Sequence, residues 1–367
     1  MDVWNASRLG WLALASFSGF GCTTLHKLAK LCDEDGERAW RVTRKQLESI
    51  LRKQTSIEQF CTYRANTQPE KLASDLTQHH IQFILNTDTL FPIDLRTIPQ
   101  PPKALFIKGN LDSLHEPRIA IIGTRSMTPY GKHVTTELAQ ACAHHGITVI
   151  SGLALGIDGC AHQASLDAQG KTIAVLGSGL DQATIYPRQH ARLAQCIINQ
   201  EGALISEGPV GYNAYRFDFP LRNRLISGLA QATIVVEGAH KSGSLITAHL
   251  AIEQGRDVLA VPGSIMSKQS QGTNALIQKG AIPCLGIDSI LETLHLESSR
   301  TAPSDIQLTA EEKQFLSIIS GPISIDEVSR LTKAPIQHTL QLIGRLELNG
   351  FISRLDRGRI TRHVRTF

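Results

Sequence analysis

Short apolar runs recur along the middle of the chain, and their spacing carries the first prediction. Ile119 to Ile122 is continuously apolar, and similar runs follow at Ile147–Ile150, Thr172–Leu176, Ala203–Ser206, Thr233–Val236 and Asp257–Val261. Unbroken apolar runs of this length suit strands buried on both faces. Between them, stretches near 128–145, 157–168, 187–200, 220–230 and 243–254 carry helical spacing, and a short helix at 272–279 leads to a last strand at 281–285. Strand–helix alternation predicts an α/β fold: an extended Rossmann-like, doubly wound, mostly parallel sheet with helices on both faces. Two more strands, Ile81–Leu85 and Ala104–Ile107, precede it across a proline-rich crossing (Phe91-Pro92, Pro99, Pro101-Pro102).

The flanks read differently. Residues 1–75 predict a small helical domain, with helices at Trp40–Leu51 and Ile57–Tyr63 and a glycine turn, Gly19-Phe-Gly21, feeding Thr23 to Leu28. Such a turn either grips a DNA phosphate, as in helix-hairpin-helix or SAM-like modules, or simply packs helices together. The sheet domain is assigned to 76–297 and a polar, proline-containing linker to 298–305. Residues 306–367 follow as a winged helix: Thr309 with Glu312 forms a capping box, helices run over Ile325–Leu331 and Pro335–Leu348, and a hairpin turns at Asp356-Arg-Gly358. Its third helix offers Arg345 and His338 for DNA contact. The module is either a DNA-binding wing or a protein-docking surface.

Composition adds little until charge is located. The 367 residues are 42% hydrophobic and 19% charged, an ordinary balance for two or three globular domains. Phe351 to Phe367 carries five arginines against Asp356 alone, an excess equal to the formal +4 of the whole chain. The seven cysteines are scattered and form no C-x-x-C pair, so a zinc site or disulfide framework is not expected and a reducing cytoplasm fits. Leu9 to Cys22 has the outline of a short lipoprotein-type signal, but Asp2 weakens its positive start and Leu9, Leu12 and Leu14 fit one face of an amphipathic helix. No stretch reaches the roughly 20 apolar residues of a membrane span.

The candidate chemistry lies past the carboxyl ends of the strands, where doubly wound sheets bind ligands. Gly123-Thr-Arg125 stands in a strand-to-helix turn, with Thr128-Pro129 opening the helix beyond it. Ser151-Gly152, Gly177-Ser178-Gly179, Ser206-Glu207, Lys241-Ser242-Gly243-Ser244 and Pro262-Gly-Ser264 follow at the other strand ends. Glycine and hydroxyl residues at helix starts predict repeated anion nests. Phe217-Asp-Phe-Pro-Leu-Arg-Asn-Arg224 adds cations and rings, and Arg188 adds a further cation. Several nests with spread cations suit a ligand of several phosphates, such as a nucleic acid strand. Phe217 and Phe219 either stack on bases or pack on the sheet. Arg222 and Arg224 either reach phosphates or pair with Glu207 or Glu237.

Enzyme motifs are weak. No G-x-G-x-x-G with a ribose-binding acid and no Walker run occurs. Asp158 and His162 are four apart on one helix, without a third partner, and Gly159 and Ala161 beside them point to tight packing. Ser178 lacks the fuller nucleophile-elbow pattern.

The motifs together resemble the DNA processing protein DprA (Smf) family. The resemblance rests on Ile-Gly-Thr-Arg125 with Tyr130-Gly131, Ser151-Gly-Leu-Ala, Gly156-Ile-Asp158 with Ala161-His162, Ala174-Val-Leu-Gly-Ser-Gly179 and Tyr186-Pro187. Ser206-Glu207, Phe219-Pro-Leu-Arg-Asn-Arg-Leu-Ile226, Ser242-Gly-Ser-Leu-Ile-Thr247, Ala260-Val-Pro-Gly263 and Gly272-Thr-Asn-Ala-Leu-Ile277 extend it over about 80–285. It implies a non-enzymatic, cofactor-free, single-stranded DNA-binding protein that protects incoming strands during natural transformation and loads the RecA recombinase. It also implies a homodimer formed through the sheet domain near Leu276 and Ile277. DNA contacts carry over to Arg125, Arg222, Arg224 and Lys241, with Gly123, Thr124, Ser151, Gly152, Gly177, Ser178, Gly179, Asn223, Ser242, Gly243 and Ser244 between them. Leu155 departs from the pattern, standing where the family usually has Arg or Lys, and Gly238 stands where alanine is more usual. Two rivals remain. One is a nucleotide-processing phosphoribohydrolase of the lysine-decarboxylase-like type using Glu207 or Glu237, although its P-G-G-x-G-T-x-x-E run is absent. The other is a winged-helix regulator with a ligand-sensing sheet domain.

Overall fold

In the computed structural model, residues 4–240, 242–296, 309–319, 321, 323–332, 334–348, 351–355 and 359–362 are described. The chain forms two compact units, Met1–Ser298 and Ser299–Phe367. The linker assigned to 298–305 lies outside the described residues.

Six helices open the first unit: α1 (Ala6–Ala15), α2 (Cys22–Leu31), α3 (Gly36–Trp40), α4 (Arg44–Ile50), α5 (Gln54–Asn66) and α6 (Pro69–Gln78). Of the helix expected over Trp40–Leu51, only Arg44–Ile50 forms, as α4, and Trp40 instead ends α3. Thr43 accounts for the break: it caps α4 with Gln46 in a reciprocal box, so the helix starts afresh there.

The sheet that follows contains β1 (Gln82–Leu85), β2 (Ala104–Gly109), β3 (Arg118–Ile122), β4 (Thr148–Ser151), β5 (Thr172–Leu176), β6 (Ala203–Ser206), β7 (Ala232–Val235), β8 (Asp257–Ala260) and β9 (Ile282–Pro283). Their order is β1-β2-β6-β5-β4-β3-β7-β8-β9. Strands β3 to β9 run parallel where they pair, while β2 joins β6 antiparallel and β1 joins β2 antiparallel. The chain winds from β3 out to β6 and then returns to lay β7 beside β3, so the winding direction reverses between β3 and β7. Helices α7 (Pro129–His144), α8 (Ile157–Asp167), α9 (Ala191–Asn199), α10 (Asp218–Leu229), α11 (Gly243–Glu253), α12 (Gln271–Gln278) and α13 (Ile287–Thr293) complete the unit. The stretch expected to start a helix at 187 begins as a 3-10 turn at Arg188–His190.

One hydrophobic core runs continuously from the opening helices into the sheet, joining Trp11, Leu28 and Phe60 to Phe83, Phe106 and Leu176. Lys103 adds a polar staple. It is 2% exposed, pairs with Glu34, donates to Asn86 at 3.0 Å and lies 4.6 Å from the centre of the Trp11 ring. The helices of residues 1–75 therefore share packing with the sheet.

The second unit contains α14 (Ala310–Ile318), β10 (Ile323–Ser324), α15 (Ile325–Thr332), α16 (Ile336–Leu348), β11 (Ile352–Leu355) and β12 (Arg359–Arg362), with strand order β10-β12-β11. Phe315, Val328, Ile343, Leu346, Ile352 and Ile360 fill its core, and Thr309 and Glu312 form the expected capping box. This is a winged helix. His338 and Arg345 face acids of α14: His338 Nε2 lies 2.7 Å from Glu311 Oε1, and Arg345 Nε lies 3.4 Å from Glu312 Oε1. Of the wing arginines, Arg357 and Arg365 lie outside the described residues.

Candidate nucleic-acid interface

The turn after β3 is closed from within. Gly123 permits it, because a Cβ there would meet Ile157 Cγ1 at 2.5 Å. Thr124 N donates to the Glu237 carbonyl at 2.8 Å. Thr128 caps α7, but its own N and Oγ1 donate to the Glu237 carboxylate at 2.9 and 2.5 Å. Glu237 is 1% exposed. The positive start of α7, expected to hold a phosphate, thus already holds an acid of the chain.

The loop after β4 repeats the device. Gly152 N donates to Asp158 Oδ2 at 3.1 Å, and the amides of Ala154 and Gly123 also stabilise that carboxylate. Burial pushes the Asp158 carboxyl up, against the pull of Arg222 and those amides. Arg222 is itself buried. It donates through Nη1 to the carbonyls of Gly152, at 2.8 Å, and Val175, and burial lowers its pKa to about 10. Asn223 Oδ1 accepts from Arg222 Nε at 3.3 Å. Ser151 Oγ is buried and donates to the Ile121 carbonyl at 2.6 Å.

The loop after β5 is also satisfied internally. Gly179 N donates to the Tyr212 carbonyl at 2.8 Å, Ser178 is 1% exposed, and Gly177 is half-buried. Asp181 Oδ1 accepts from Gly211 N at 2.8 Å and Thr184 Oγ1 at 2.7 Å. At the end of β6, Glu207 takes Arg224 Nη2 through both oxygens, at 2.7 and 2.6 Å. Arg222 and Arg224 therefore face the protein interior. Of the two readings open for Arg224, the pair with Glu207 is the one formed. Glu207 and Glu237, the acids on which the phosphoribohydrolase rival depends, both have partners within the fold.

The solvent-facing side of the same rim is aromatic and cationic. Arg125 is exposed, makes no ion pair with any described residue, and sets its guanidinium 5.6 Å from the centre of the Phe219 ring. Phe219 lies 5.5 Å from Tyr186, which is 51% exposed. Tyr215 and Phe217 stack at 5.6 Å with ring planes 1° apart, and they are 60% and 62% exposed. Asp218 holds their loop by accepting from Tyr212 Oη at 2.9 Å and Tyr215 N at 2.7 Å. Leu155 sits beside Arg125, Tyr186 and Phe219 in one shallow depression. Arg216, between Tyr215 and Phe217, and Arg188, two residues past Tyr186, are also exposed.

Beyond β7, Ser242 caps α11, accepting from Ser244 N at 3.4 Å, and Gly243 is exposed beside it. Lys241 lies outside the described residues. On α12, Leu276 is 5% exposed and packs in the sheet core, while Ile277 is half-buried against it. Tyr186 and Tyr215, exposed on this rim, are not among the site residues expected from sequence, although the alternation Tyr215-Arg216-Phe217-Asp218-Phe219 is a usable signal for the second.

The family model described as DNA recombination-mediator protein A matches residues 82–295, and the one for the DprA winged helix domain matches 299–358. Protein Smf of Escherichia coli is 34% identical over 362 residues, covering 95% of this chain and 94% of that one. DNA processing protein DprA of Bacillus subtilis is 41% identical, covering 69% of this chain and 82% of its own. The X-ray structure of DprA from Streptococcus pneumoniae superposes with a TM-score of 0.67 at 32% identity, over 80% of this chain and 98% of that one. The Helicobacter pylori DprA, solved for its single-stranded DNA binding mode, gives 0.53 at 32% identity, over 60% and 97%. This chain belongs to the DNA recombination-mediator protein A family.

Proposed function

We propose that the chain is a non-catalytic, cytoplasmic single-stranded DNA-binding protein. It holds the strand along the outer rim of the sheet, protects it and loads RecA on it, acting as a homodimer paired through the α12 region. The observation that carries this reading is the row of exposed Arg125, Tyr186, Tyr215 and Phe217 around the half-buried Phe219. Rings at this spacing stack bases of any sequence, and the interspersed arginines meet phosphates. A duplex keeps its bases inside, so the row favours single strands. Support also comes from the solved Helicobacter pylori relative and its single-stranded DNA binding mode.

The test is a titration of fluorescent oligothymidine and of a matched duplex at two salt concentrations, with Arg125→Ala alongside. Tight, salt-sensitive, single-strand-preferring binding that weakens about tenfold in the variant, roughly 1.4 kcal/mol, is expected. Duplex-only binding unchanged by the substitution would move the function to the winged helix. RecA loading is read separately, as faster RecA filament growth on strands already covered by a single-strand-binding protein.

A further inference from the structure

A cleft of about 370 Å³ opens where the turn between α1 and α2 meets the carboxyl ends of β5 and β6. Ligand pockets span about 300–1,000 Å³, so this one suits a single nucleotide-sized group. Three features mark it. Phe217 and Leu221, 62% and 54% exposed, lie at its edge, and Phe217 is the ring stacked on Tyr215. The cleft is therefore continuous with the aromatic rim. Arg224 also lines it, with a side chain only 8% exposed. Its Nη2 is taken by Glu207, but its Nε and Nη1 are buried without a hydrogen-bond partner among the described residues. Finally, the first turn of the ten-residue α2 forms a wall. No side chain caps that turn, and the amides of Cys22 and Thr23 donate to no described group.

These features combine a ring face, a carboxylate set against a buried guanidinium, and a positive helix end. We propose that the cleft takes one nucleobase turned out of the single strand. Its face lies against Phe217, its edge meets Glu207, and the adjoining phosphate rests at the first turn of α2. The inference rests on the reading that the rim binds single strands, and it makes the opening helices part of the binding surface.

The test compares oligothymidine with an abasic strand of equal length, using the full chain and two exposed positions. The wild type is expected to prefer oligothymidine. Leu221→Trp, which crowds the cleft, is expected to remove at least about tenfold of oligothymidine affinity, the scale of one lost base stack, while leaving abasic affinity within about twofold. Thr23→Glu places an acid where it favours the helix. It is expected to weaken both strands several-fold with no loss of melting temperature. Unchanged oligothymidine affinity in Leu221→Trp, or equal loss for both strands in that variant, overturns the proposal. So does unchanged binding in Thr23→Glu, which decides alone should Leu221→Trp fail to fold. A wild type that binds neither strand removes the rim reading, and this inference with it.

Discussion

At the ends of β3 and β4, glycine turns close over Glu237 and Asp158. Further along the same rim, 186–188 and 215–219 turn Tyr186, Arg188, Tyr215, Arg216 and Phe217 outward. Both regions use backbone amides and acids, but in opposite ways. In the first, the acid fills the nest and the loop becomes rigid core. In the second, Asp218 ties its loop from below and leaves the rings free above. A glycine-rich strand end is thus a place where an anion sits, and the anion can belong to the chain itself.

The largest expected effect tests the closed region. Arg222→Ala strands the Asp158 carboxylate in a buried site and should lower stability by about 3–5 kcal/mol, read from denaturant midpoints. Glu237→Ala should destabilise less, about 1–3 kcal/mol, because Thr128 N and Oγ1 lose their acceptor. It should also make the melting temperature rise with added sulfate, since an unplugged helix start accepts an outside anion. A sulfate-insensitive variant would argue that the plug has no anion character. On the open region, Phe217→Ala should leave stability unchanged and weaken oligothymidine binding by about 1–3 kcal/mol. A variant that lost stability without losing binding would reverse the contrast between the two regions.

The last effect is in pH, absent at neutral pH and read as a slope rather than as a single loss. His162 is fully buried, shares a hydrogen bond through Nδ1 with Thr172 Oγ1 at 2.7 Å, and has its pKa lowered to about 3, chiefly by burial and then by His190 and Arg222. Between about 6.5 and 3 the unfolded chain therefore carries a proton that the folded chain refuses. Stability should fall with falling pH across that window, by at most about 1.4 kcal/mol per unit, and His162→Gln should flatten the slope. An unchanged slope would place the titration elsewhere.

Much of the fold was legible because period and length suffice for it. Thr172–Leu176 and Ala203–Ser206 were placed to the residue. The capping box at Thr309 and the hairpin beyond Gly350 likewise outline a winged helix in sequence. The site was less legible. Arg222 and Arg224 read like phosphate contacts because a sequence gives their charge but not their direction, and only the packing of α10 on β5 turns them inward. The common core of Trp11, Phe60 and Phe106 was also hidden, since contacts between distant segments leave no local period.

Photocrosslinking maps the strand most directly. An oligothymidine carrying 5-iododeoxyuridine would be bound to the wild-type chain, irradiated and mapped by peptide mass spectrometry. Adducts at Tyr186 and within Tyr215 to Phe219 are expected, because these rings meet the bases. Adducts confined to 309–362, with none on the sheet rim, would contradict the central claim.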